Sequence, residues 1–145
     1  MARSDIERDF PALKGEEYEL SGEDFNYNCL AFALGDEGNW WEPPRGRGQY
    51  WPPGFPEDTT VRTVESIMRA HGFSVETDAK TWPDTDAVAI YAEGEEWTHF
   101  AKFANAQWSC KLGEGHDVSG IRLEHLEGAL YGRVVKILQR PRSDR

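Results

Sequence analysis

Long apolar runs are missing from this sequence, and so is a basic-then-apolar start, since MARSDIERDF is charged throughout. The first absence argues against a membrane-spanning helix and the second against a secretory leader. The expectation is a soluble protein folding in the cytoplasm, with leaderless export left open. Cysteine is scarce, with two in 145 residues, and in that compartment both are expected as free thiols rather than a bridge. Basic residues are outnumbered, 16 Lys and Arg against 26 Asp and Glu, for a formal charge of −10. Such a balance excludes a nucleic-acid partner, which needs clustered cations to displace counterions. No repeat, phosphate-cradling glycine motif or GxSxG occurs. The four histidines, His71 and His125 among them, have no partner cysteine or acid at ligand spacing, so no metal and no other cofactor is expected.

What is present fits one domain over residues 1–145, with the first 20 residues expected to be loosely ordered and 141–145 a charged tail. Residues 42 to 58, EPPRGRGQYWPPGFPED, concentrate proline and glycine and so read as a loop. Trp40, Trp41, Tyr50, Trp51 and Phe55 supply apolar surface to hold that loop down as an ordered flap. Asn28 to Leu34 reads as a short buried helix stopping at Gly35. A second helix follows Asp58, its apolar face Val61, Val64, Ile67 and Met68, closed by Gly72 with Phe73 folding back. Ala87–Ala92, His99–Ala104 and Gln107–Leu112 read as an antiparallel meander, Leu123–Glu127 as a short helix and Arg133–Leu138 as a last strand. Helices grouped before an antiparallel sheet predict the α+β class, with N-terminal helices packed on the sheet in a papain-like arrangement.

Cys29 stands at the first turn of the first of these helices, where unpaired N–H groups and the helix dipole favour thiolate, the nucleophilic form. The plain alternative is a small buried hydrophobe. His99 opens a strand at the rim of the sheet, in reach of a helix end, and is either a base or a hydrogen-bonded structural histidine. A third group would orient the imidazole; a tight hairpin about Asn105-Ala106 brings Glu114, His116 and Asp117 near, and Asp117 is the choice because a carboxylate fixes the tautomer and stabilises imidazolium. Otherwise Asp117 is a turn or cap residue. The Cys29 N–H with the amide of Asn26 or Asn28 would form an oxyanion site, unless either asparagine is the helix cap. Trp40, Trp41 and Trp51 would wall a substrate cleft or plug the core. Cys110 reads as packing.

The succession YNCLAFALGDEGNWWEP, YWPPGFPED, THFAKFANAQWSCKLGEGHDV and LEGALYGRVVKILQRP resembles a family of bacterial domains of unknown function with the same blocks in the same order, from about Tyr27 to Pro141. Cys29, Trp40, Trp41, Pro43, His99, Trp108, Lys111, Leu112, Gly113 and Asp117 sit on that family's block positions. Cys110 departs from it, standing where the block usually has serine. In arrangement only, the Cys, His, acid order is similar to papain-like peptidases and amidases, including the NlpC/P60 and CHAP kinds.

Two functions follow as expectations. The first is a cysteine hydrolase, an amidase or peptidase of the toxin or effector kind, acting on a protein or peptide amide through Cys29, His99 and Asp117. The second is a non-catalytic protein-binding or immunity-type domain using its negative charge and aromatic loop. A redox pair of Cys29 and Cys110 is the weakest, since it lacks CxxC spacing.

Overall fold

The computed structural model describes residues 2–46, 48–80, 85–112 and 115–141. Its main feature is a seven-stranded sheet in which every paired strand is antiparallel. The strands are β1 (Glu19–Glu23), β4 (Val75–Glu76), β5 (Thr85–Glu93), β6 (Glu96–Ala104), β7 (Gln107–Lys111), β8 (His116–Ile121) and β9 (Arg133–Pro141), arranged β1-β8-β7-β6-β5-β9-β4. Two two-residue strands, β2 (Trp40–Trp41) and β3 (Gln49–Tyr50), pair apart from it. Helices are few and short: α1 (Ala2–Asp9), α2 (Cys29–Ala33), α3 (Val61–Ala70) and two 3-10 turns. None is long and apolar enough to cross a membrane.

These findings overturn the α+β expectation of N-terminal helices packed on a sheet in a papain-like arrangement. The chain is mostly antiparallel sheet, and β1 precedes α2 in sequence yet forms the sheet's far edge against β8. That interleaving is invisible to a reading that groups helices first, because ELSGE and HDVSGI each break the apolar alternation with glycine and charge.

The central strands are apolar at nearly every position because both faces are covered. Successive side chains in a strand point to opposite faces, and β5 divides accordingly. Ala87, Ala89 and Tyr91 join a cluster with Phe103, Trp108, Cys110, Ile6, Phe10 and Leu13. Val88 and Ile90 join a second cluster with Phe100, Cys29, Trp41, Trp51 and the α3 residues Val64, Ile67 and Met68. Each fully buried residue of this kind contributes about 1.5–3 kcal/mol. Ile6, Phe10 and Leu13 are buried, so the segment from Ile6 to Leu13 contributes to the first cluster.

Local chemistry sets the α3 boundaries. The Thr60 hydroxyl accepts from Thr63 N at 3.2 Å, and Gly72, at φ +95°, lets Phe73 turn back so that its N–H reaches the Met68 carbonyl at 3.1 Å.

Candidate functional site

α2 begins where Asn28 caps it. The Asn28 Oδ1 accepts from Ala31 N at 3.2 Å and from Trp41 N at 3.1 Å, while its Nδ2 donates to Trp41 O at 2.7 Å. One side chain thus closes a helix end and satisfies both backbone groups of Trp41, as a strand neighbour would. Its Oδ1 and one Nδ2 hydrogen are committed to these bonds, the helix-cap alternative for this residue. Asn26 lies on an exposed loop, where its N–H donates to Asp24 Oδ1 at 2.9 Å.

Cys29 is buried at the first position of α2, in the cluster that holds Phe100. Burial pushes its thiol up to about 12, and the N–H groups of Phe100, Leu30 and Cys29 itself pull the other way without winning. α2 has five residues, so its dipole is short, and desolvation outweighs it. At neutral pH the group is a thiol.

His99 is 1% exposed. It pairs across β5 and β6 with Tyr91, and its ring stacks on Tyr131 at 3.9 Å and 3° and lies 5.5 Å from the Tyr91 ring. Tyr91 belongs to the first cluster and Tyr131 packs against it, whereas the adjacent Phe100 belongs to the cluster of Cys29. Cys29 and the His99 ring therefore pack in different clusters, although the Cys29 sulfur takes a hydrogen bond from the N–H of Phe100, the residue next to His99. Burial lowers the imidazole to about 3, and its Nε2 has no hydrogen-bond partner. The Cys29 sulfur is held by backbone N–H groups and the His99 ring by Tyr91 and Tyr131, and among the described residues no hydrogen bond joins the two.

Asp117 is not in the turn after β7 but in β8, opposite Lys111. Its Oδ2 accepts from the Tyr27 hydroxyl at 2.8 Å. Burial, with Asp117 second, raises the Tyr27 hydroxyl well above its usual range. Lys111 is fully buried and donates its Nζ to the carbonyls of Asp24 and Gly115, 5.0 Å from the centre of the Tyr27 ring. Asp117 thus belongs to an anchoring cluster that fixes the loop before α2 to the β7–β8 connection. Of the other orienting candidates, His116 Nδ1 lies 2.6 Å from Ser21 O, and Glu114, like Gly113, lies outside the described residues.

The tryptophans divide by exposure. Trp51 is fully buried and donates to Pro56 O at 2.8 Å; Trp41 is buried and donates to Asp36 Oδ2 at 2.8 Å. Both plug the core beneath the proline-rich segment. Half-buried Trp40 donates to Glu42 Oε1 at 2.8 Å.

Two residues were overlooked in the sequence. Lys111 carried a signal, as a lone lysine between apolar neighbours of a strand. Tyr131 carried a fainter one, flanked by Gly128 and Gly132, whose backbones bond to each other at 2.9 Å in both directions and fold the segment back. Among the described residues no group of three or more His, Cys, Asp or Glu is placed to hold a metal ion.

No curated protein and no solved structure matches the chain. The family described as Domain of unknown function (DUF7689) matches residues 18–139, a span that takes in the Asn28 clamp, Cys29, His99, Lys111 and Asp117. The chain belongs to that family.

Proposed function

We propose that this chain is a non-catalytic protein-binding domain, of the immunity type in its charge, that receives a basic extended segment of a partner along β1. The observation that carries this reading is the character of that edge. β1 ends the sheet, with β8 on one side and no strand on the other among the described residues. Residues 16–24, EEYELSGED, hold five carboxylates and no cation. Glu17, Glu19 and Ser21 are exposed.

An open edge offers unpaired N–H and C=O groups to another strand. Like charges opposite one another disfavour pairing of two copies of this edge, whereas Lys or Arg at alternate positions of an incoming strand meets it favourably. The chain's net charge of −10 steers such a partner from a distance.

A thiol hydrolase acting on protein or peptide amides draws no support from this geometry. Its nucleophile is a buried thiol and its base a buried imidazole stacked on Tyr131 with no partner for its Nε2. The aromatic segment, expected to help hold a partner, has its two inner tryptophans committed to the core.

The test is a titration of isotope-labelled protein with the peptide acetyl-KVKVKV-amide, followed by amide chemical shifts. Saturable shifts centred on residues 19–23, weakened at least tenfold by Glu17→Lys with Glu19→Lys, support the reading. Shifts elsewhere, or shifts indifferent to the charge reversal, overturn it.

A further inference from the structure

A cavity of about 370 Å³ opens between the β6–β7 hairpin and the segment joining β8 to the Leu123–Leu126 turn. Its size falls within the range of small-molecule sites. The floor is apolar: Phe103 and Trp108 meet edge to face at 5.3 Å and 64°, with Ile121 and Leu123 beside them. Trp108 directs its indole N–H to the Lys80 carbonyl at 2.8 Å, which pins Lys80 to the cavity mouth.

The rim gathers two cations on an acidic molecule. Lys80 and Arg122 stand there with the carboxylate of Glu124. Arg122 is engaged, 3.2 Å from Glu124 and 3.8 Å from Glu16. Lys80 has no ion-pair partner among the described residues, and its charge, with that of Arg122, helps hold the Glu124 carboxyl below its usual range, behind the backbone N–H of Glu124 itself. On a surface with ten excess negative charges, Arg122 is matched by Glu124 and Glu16, and Lys80 is the mouth's cation that selects for an anionic group.

The wall carries a strained residue. Asn105 and Ala106 form the two-residue β6–β7 turn with φ of +54° and +65°. Such turns favour Asn-Gly, and a non-glycine residue in the left-handed region costs roughly 1–2 kcal/mol. Here the second position is alanine, and Ala106 lines the cavity. A glycine would relieve the backbone but remove a methyl from the wall.

We infer that this cleft binds a small aromatic carboxylate, its flat apolar body against Phe103, Trp108 and Ile121 and its carboxylate at the Lys80 ammonium. The reading is independent of the partner proposed for β1. The probe is 2-naphthoate, titrated into labelled protein while the Trp108 indole N–H resonance is followed, since that proton reports on floor and rim together. The expected result is a saturable shift, weakened at least tenfold by Lys80→Glu and at least tenfold weaker for the neutral 2-naphthamide. Arg62→Glu makes the same change in net charge on exposed α3, across the sheet, and leaves binding within twofold of the parent. Both substitutions fall on exposed side chains, and an unchanged amide spectrum elsewhere verifies folding. An unmoved Trp108 resonance, equal binding of the amide, or equal weakening by Arg62→Glu overturns the inference.

Discussion

On the Cys29 face of the sheet, the elements are tied down by directed hydrogen bonds: Asn28 clamps Trp41, Trp51 reaches Pro56 O, and Thr60 caps α3. The His99 face has directed bonds too, from Tyr91 to Leu123 O and from Trp108 to Lys80 O, but it also stacks His99 on Tyr131 and buries two histidines, His99 and His125, each with an Nε2 that has no hydrogen-bond partner. Both faces are well filled, yet their polar groups respond differently to change. A clamp fails when its donor or acceptor is removed. A buried neutral imidazole fails when protons become abundant.

The largest expected effect is on the clamp. Asn28→Ala removes a helix cap, worth about 1 kcal/mol, and strands two backbone groups at about 1–3 kcal/mol each, so unfolding in urea should show a loss of roughly 3–7 kcal/mol. Asn28→Ser should recover the cap alone. A loss under 1 kcal/mol for Asn28→Ala would mean the clamp is not what holds the Trp41 segment.

The other face should respond to pH. His99 sits near 3 when folded and near 6.5 when unfolded, so the unfolded chain takes up the proton first. Its contribution is therefore complete above about 6.5 and is lost as pH falls towards 3, by roughly 4 kcal/mol on the scale of 1.36 kcal/mol per unit. His125, also lowered chiefly by burial, adds in the same direction. A His99→Phe variant keeps a ring against Tyr131 and cannot titrate. Its stability profile should be flatter over that window while the carboxylates act alike in both proteins. Parallel profiles would show that His99 is not buried neutral.

A smaller effect tests how Tyr131 is held over His99. A Cβ on Gly132, at φ +72°, would stand 2.3 Å from the Ala92 carbonyl oxygen. Gly132→Ala should therefore cost more than about 1 kcal/mol and weaken the stack, visible as altered Tyr131 ring shifts. Smallest of all, Ala106→Gly should raise stability by about 0.5–1 kcal/mol on thermal unfolding by relaxing the β6–β7 turn.

Much of this organisation was legible in the residues. The α3 stripe of Val64, Ile67 and Met68, its closure at Gly72, and the β5–β6–β7 meander follow from periodicity and turn chemistry. The strands β1 and β8 were not legible, because glycine and paired charges hide their alternation. α1 was hidden by its polarity, with Ile6 its buried residue. What the residues did not reveal is the packing of His99. Cys29 and His99 do both reach β6, but a strand buried on both sides shows no polar alternation to reveal which way His99 points. Asp117, expected to orient His99 or else to sit in a turn or cap, was not recognised as a strand residue for the same reason that β8 was missed.

The central claim is that Cys29 is a structural thiol closed off from the chemistry its sequence context suggests. The most direct test is the pH dependence of iodoacetamide labelling at Cys29, resolved from Cys110 by peptide mass spectrometry, in the native protein, in urea and in His99→Ala. The account predicts slow native labelling up to pH 9, at a rate set by opening of the fold, and fast labelling only once the chain is unfolded. Rapid labelling of the native protein below pH 8 that disappears on removing His99 would contradict it and return Cys29 to the role of nucleophile.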